Sequence, residues 1–127
     1  MARRPTEERL RVERPTRVAA AAARSHLSDG RVVCWYGEPG VVIDAELTDR
    51  PVPPALMRRF GAEGFWARWT RAECAAKLAD VPMAIWLHDH GLTAGPYDVI
   101  TLTYEPEPGI VVALGRRPVK RAVDSSG

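Results

Sequence analysis

Apolar residues recur along this chain with two different periods, and the places where the period changes mark where one kind of element gives way to another. Between Phe65 and Ala79 (FWARWTRAECAAKLA), Trp66, Trp69, Ala72, Ala76 and Ala79 fall three and four apart, which is one face of a helix. Glu73 and Lys77 stand one turn apart on a neighbouring face. Such a pair is first of all an i, i+4 ion pair on a solvated surface, worth about 0.3 to 0.5 kcal/mol. Upstream, Arg31 to Tyr36 (RVVCWY) has the β-branched and aromatic content of a strand, Gly37 to Gly40 closes it, and Val41 to Leu47 (VVIDAEL) is a second strand. The two are expected to form a hairpin.

In the second strand the period of two sends Ile43, Ala45 and Leu47 to one face and Val42, Asp44 and Glu46 to the other. Two carboxylates thus share a face with Cα atoms roughly 6.5 Å apart, close enough for both to reach one divalent cation. A strand end entering solvent, where repulsion is screened, accounts for the pair equally well. Pro53 and Pro54 suit the first turn of a short helix through Phe60, and Gly61 and Gly64 punctuate the chain between that helix and the long one. Pro82 lies at or just past the end of the long helix, and Met83 to His90 is a further helical piece stopped by Gly91. Asp98 to Tyr104 alternates as a strand, turns through EPEPG, and meets Ile110 to Leu114 as its hairpin partner. Ser25 to Gly30 reads as a turn by composition. Arg17 to Ala23 fits a helix by alanine propensity and a short strand by position, and periodicity does not separate the two. The order of elements is hairpin, helices, hairpin, an α+β pattern with an antiparallel sheet packed against a long helix.

With 127 residues, 46% hydrophobic and 27% charged, the chain is sized and composed for one domain with its own core. No apolar run approaches the ~20 residues of a membrane span, and the Arg-rich beginning lacks the hydrophobic stretch of a secretory signal, so a cytoplasmic protein without a membrane partner is expected. Seven arginines precede Leu27, yet the net charge is only +2 and basic residues do not interleave with aromatic ones, which argues against nucleic acid as a partner. Residues 1–16 are expected as a solvated tail, 17–115 as the domain, and 116–127 as a second tail. Cys34 and Cys74 form no CxxC pair and are expected as buried small residues. His88 and His90, two apart on a helix, point to different faces and are expected to decorate its end rather than bind zinc. Trp35, Trp66, Trp69 and Trp86 are expected in the core, with a subunit contact as the alternative for Trp86.

Asp44, Glu46, Glu73 and Lys77 together resemble the motifs of the 4′-phosphopantetheinyl transferase superfamily. That family carries a strand motif (V/I)-G-(V/I)-D-(V/I)-E and a downstream helix motif W-(S/T)-x-K-E-A-x-x-K. Here they read Val41-Val42-Ile43-Asp44-Ala45-Glu46 and Trp69-Thr70-Arg71-Ala72-Glu73-Cys74-Ala75-Ala76-Lys77. Ser25-His26 is similar to the Ser-His pair of the surfactin-synthetase-type branch, and Pro54 to Phe60 to the family's connecting helix. The pattern departs at Val42, Ala72 and Cys74, the connection from Asp44 to Glu73 is short, and only one of the two lobes of the larger members is present.

The resemblance implies a single-lobe fold of that family and a Mg²⁺-dependent transfer of the phosphopantetheine arm of coenzyme A to a serine of an acyl or peptidyl carrier protein, with release of 3′,5′-ADP. It implies Asp44, Glu46 and Glu73 as ligands of the metal, Lys77 on a phosphate oxygen, and His26 facing the 3′-phosphate of the nucleotide. The base for the serine proton is Glu73 or a water on the metal. A single lobe implies a homo-oligomer, dimer or trimer, that completes the pocket between subunits. The alternative is a non-catalytic relative that binds coenzyme A or a carrier protein.

Overall fold

A strand buried on both faces has to be apolar at every position, and Ile110–Arg116 (IVVALGR) is the stretch of this chain that comes closest. In the computed structural model, which describes residues 9–14, 21–104 and 107–118, it is the middle strand of three. The elements in chain order are β1 (Leu10–Glu13), β2 (Ala23–His26), β3 (Val32–Trp35), β4 (Val42–Leu47), α1 (Pro54–Phe60), α2 (Phe65–Ala79), α3 (Met83–His90), β5 (Asp98–Thr103) and β6 (Ile110–Arg116). They build two antiparallel three-stranded sheets, ordered β1-β3-β2 and β4-β6-β5. The class is α+β.

Alternation along β6 divides the core into layers. Ile110, Val112 and Leu114 join Ile43 and Ala45 of β4 and meet Leu10, Val33 and Trp35 of the first sheet and Leu27 just past β2. Ala113 faces the other way, against Ala72, Cys74, Ala75 and Ala76 of α2, and Val111 meets Phe65 and Trp66. The order of layers is sheet, sheet, helix. Small residues on α2 and β6 let the helix lie close to the strand. A Cβ added at Gly115 would come within 3.0 Å of Val99 and 3.2 Å of Cys74, so glycine is what this approach requires.

Two hydrogen bonds hold the sheets together at separate points. Ser25 Oγ of β2 accepts from the backbone N–H of Ala45 in β4 at 3.0 Å, and Tyr104 Oη donates to the carbonyl of Leu10 in β1 at 2.6 Å. Helix ends are set locally. Pro54 opens α1, and the Arg68 guanidinium donates to the carbonyls of Phe60 and Gly61 at its other end. α2 stops at Asp80, a non-glycine residue in the left-handed region with φ of 59°, from which the next N–H, that of Val81, returns to the Ala76 carbonyl.

Several expectations change. β3 and β4 do not form a hairpin: both edges of β3 are already taken, by β1 and β2, and the chain crosses to the other sheet instead. The hairpin partner of β3 is β2, so Ser25 and His26, read as turn residues, lie in a strand, and only Leu27–Gly30 turns. Residues 1–16 are not a solvated tail throughout, because Leu10–Glu13 is β1 with Leu10 buried in the core. At the other end β6 runs on through Arg116. The Arg17–Ala20 part of the helix-or-strand question lies outside the described residues. Trp86 is no uncovered subunit contact: it is 3% exposed, its Nε1 donates to the Thr93 carbonyl, and its ring lies 4.1 Å from that of His90. Of the other tryptophans, Trp35 and Trp66 are buried and Trp69 is partly so. Among the described residues no helix is long and apolar enough to cross a membrane.

Candidate functional site

The face of β4 turned away from the first sheet carries Val42, Asp44 and Glu46, and α2 lies across it. A strand in this position would ordinarily put apolar residues under the helix. Here Asp44, whose side chain is only 10% exposed, sits there instead. Lys77, one turn beyond Glu73 on α2, reaches over it: its Nζ donates to the Ile43 carbonyl at 2.7 Å and to Asp44 Oδ1 at 3.4 Å. Asp44 Oδ2 is buried and has no hydrogen-bond partner among the described residues.

That arrangement perturbs the carboxylates. Burial pushes Asp44 up to about 7; the Lys77 ammonium opposes the shift, and the charges of Glu73 and Glu46 add to it. Glu73, half buried, is raised for the same reason, burial first, with Lys77 opposing and Glu46 adding. Cys74, next to Glu73 in sequence, is pushed to about 12 by burial and by the Asp44 charge, which leaves it an inert thiol 3.3 Å from the Ala113 carbonyl. Near pH 7 Asp44 is thus a carboxyl divided between its two protonation states. A nearby cation would drive it fully to the ionised one.

Glu46, at the open end of the strand, is held by a residue that the motifs do not mention. Arg50 pairs with Glu46 Oε1, its guanidinium lies 4.7 Å over the Trp66 ring, and its carbonyl accepts from Trp66 Nε1 at 2.9 Å. The strand face and the helix therefore bring Asp44, Lys77, Glu73 and Glu46 into one electrostatic group. His26 is exposed on β2, and among the described residues its side chain has no hydrogen-bond partner. It is the neighbouring Ser25 that touches β4, through the Ala45 N–H. His88 and His90 diverge as expected, the first toward Asp89 and the second onto Trp86. Cys34 and Cys74 are free and buried.

A hard divalent cation is the group implied by the resemblance, and the donors match it in kind: carboxylate oxygens, one of them buried without a partner. Among the described residues no three acidic, His or Cys side chains are already gathered as a ligand set. Glu46 is engaged by Arg50 and Asp44 Oδ1 by Lys77. Both pairs include a partner more than a third exposed, so solvent screens part of the attraction between the charges. The donors are of the right kind for a cation, but among the described residues they are not gathered to hold one.

Arg50 was not legible from motif or period. It lies four residues past Glu46, but a strand end and a turn intervene, so helical spacing does not apply. Comparison of the chain with protein-family models, with curated proteins and with solved structures gives no match.

Proposed function

We propose that this protein is a 4′-phosphopantetheinyl transferase that moves the phosphopantetheine arm of coenzyme A to a serine of an acyl or peptidyl carrier protein. The observation that carries the reading is the buried Asp44 carboxyl, with Oδ2 unpartnered, beneath Lys77 and within the field of Glu46 and Glu73. Burying a carboxylate this way is unfavourable for folding, and such groups cluster where charge is used.

In the reaction the serine Oγ bonds to the β-phosphorus of coenzyme A, the bond to the bridging oxygen breaks, and 3′,5′-ADP leaves. Asp44, Glu46 and Glu73 would hold Mg²⁺, which when bound screens the pyrophosphate and takes up charge developing on it. Lys77 lies beside the cluster as a point charge for a phosphate oxygen. Glu73, half buried and raised, is suited to accept the serine proton. His26, exposed on β2, is assigned to the 3′-phosphate by the resemblance alone. A homo-oligomer would supply the opposite wall of the pocket.

A second reading, a non-catalytic relative that binds coenzyme A or a carrier protein, is favoured by the 2.7 Å bond from Lys77 to the Ile43 carbonyl. An ammonium committed to the backbone of β4 is acting as a tie between helix and strand.

The two separate in one experiment. Purified protein is incubated with coenzyme A, Mg²⁺ and several apo carrier proteins and read by intact mass, with coenzyme A binding followed in parallel by calorimetry. A carrier that gains one phosphopantetheine supports transfer, and Glu73→Ala is then expected to abolish the gain while leaving the melting temperature unchanged or raised. Binding without a mass gain favours the second reading. Absence of both a mass gain and any heat with coenzyme A or carrier protein removes the two together.

A further inference from the structure

The second sheet ends in an open strand edge. β5 pairs with β6 and, among the described residues, with no other strand. The Tyr104 N–H donates to the Ile110 carbonyl at 2.9 Å in the same register, so alternate residues from Tyr104 back through Leu102 and Ile100 to Asp98 are the ones that bond to β6. The N–H and C=O groups of Val99, Thr101 and Thr103 therefore turn to the free edge. One of these groups is met by a side chain: the Val99 carbonyl accepts from Arg71 Nη1 of α2 at 3.0 Å. Ile100, between Val99 and Thr101, is 49% exposed. Thr101 Oγ1, on the face of the strand that Val99 turns to α2, is buried and has no hydrogen-bond partner among the described residues.

We propose that two copies of this protein associate edge to edge through β5, antiparallel about a two-fold axis at Thr101, and that Arg71 holds this association in check. A strand edge with free N–H and C=O groups is a template for another such edge. A second copy is the partner this edge specifies, because its outward residues are spaced symmetrically about Thr101. In that register Thr101 exchanges both of its bonds with the partner's Thr101, and Val99 does so with the partner's Thr103. Ile100 lies opposite the partner's Leu102 in a close, non-hydrogen-bonded pair, which covers its exposed surface. The Thr101 hydroxyl comes to face its own symmetry mate, and threonine pairs placed in this way bond across strands. Arg71 occupies the Val99 carbonyl that the partner's Thr103 N–H needs, so its guanidinium has to swing away in each copy. Two six-residue strand edges bury less than the ~1,200 Å² of a stable interface, and association of wild type is accordingly weak. β4 and Asp44 lie at the other edge of the sheet, so this contact is independent of the functional reading above and distinct from one that would wall the pocket at Asp44.

The test is sedimentation velocity of the whole protein over a range of concentrations, with amide hydrogen exchange at the two ends of that range. Arg71→Ala is expected to dimerise at least about tenfold more tightly than wild type, because a charged hydrogen bond that competes with pairing is gone from each copy. Arg71→Gln, which keeps more of the side chain's packing, is a second variant with the same expected sign. Ile100→Lys placed in the Arg71→Ala protein is expected to weaken the dimer at least about tenfold, since apolar burial is lost in both copies and a lysine on an edge strand opposes pairing. Ile100 is half exposed in the single copy, which leaves room for the lysine there. In the Arg71→Ala dimer the amides of Val99, Thr101 and Thr103 should gain protection as concentration rises, while those of Ile100 and Leu102, already bonded to β6, stay unchanged. If neither Arg71 variant associates more tightly than wild type, the proposal is overturned. A dimer that Ile100→Lys leaves intact, or one whose added protection falls outside β5, overturns it as well.

Discussion

The two faces of β4 are built from alternate residues of one six-residue strand, and they obey different physics. Ile43 and Ala45 face the first sheet in a layer with Ile110, Val112 and Leu114, where the buried side chains that meet are apolar. Asp44 and Glu46 face α2, where a buried carboxyl, an ammonium and a half-buried glutamate are packed among alanines. The first face supplies stability. On the second, stability is given up, because holding Asp44 ionised under a helix opposes folding.

The sharpest way to break this contrast is to cut into the apolar face. Ile110→Ala removes a side chain with no exposed surface at the centre of that layer, and an unfolding free energy lower by about 2 to 5 kcal/mol is expected from urea titration. A loss under about 1 kcal/mol would mean that the layer is loosely packed and the two faces are not so different.

On the other face the expected sign is reversed, and it depends on pH. Asp44 titrates near 7 in the fold and at about 4 when unfolded, so the native state holds the proton over that interval and the unfolded chain does not. Stability therefore falls as pH rises from about 4 to 7 and is level above. Asp44→Asn lacks the ionisation. The variant should match wild type near pH 4 and exceed it above pH 7 by an amount on the order of 2 to 4 kcal/mol, measured as a series of melts from about pH 4 to 8. A wild type whose melting temperature does not fall relative to the variant across that range would show that Asp44 is not strained. Saturating Mg²⁺ is expected to shrink the difference by stabilising wild type.

A smaller effect tests how the apolar face is closed. Ser25→Ala removes the acceptor for the Ala45 N–H at the contact between β2 and β4 and should lower stability by about 1 to 3 kcal/mol, with little dependence on pH. Hydrogen exchange at Ala45 would localise the loss, and an unprotected Ala45 amide in wild type would count against the bond.

Much of this was readable along the chain because it comes from local patterns. The three helices among the described residues end where their signals lie: Pro54 opens α1, Gly61 and Gly91 close α1 and α3, and the three- and four-residue spacing runs to Ala79. The alternation of β4 is likewise a property of the strand alone, which is why Asp44 and Glu46 could be assigned to one face before any partner was known. β5 and β6 pair as their alternation and their nearness along the chain suggest. What a strand pairs with is not local. Val32–Trp35 and Val42–Leu47 look like neighbours in a hairpin, but β1 and β2 occupy both edges of β3, and only the assembled sheet decides that. Leu10 and Val12 alternate too briefly among arginines to announce a strand, and they become one only by lying on β3. The same holds for the chemistry. The sequence by itself supplied the residue types and their faces: Asp44, Glu46, Glu73 and Lys77. Tertiary structure alone decided that Asp44 is buried with an unpartnered oxygen, that Lys77 ties helix to strand, and that Arg50 holds Glu46 over Trp66, because burial and ion pairing depend on which surfaces meet.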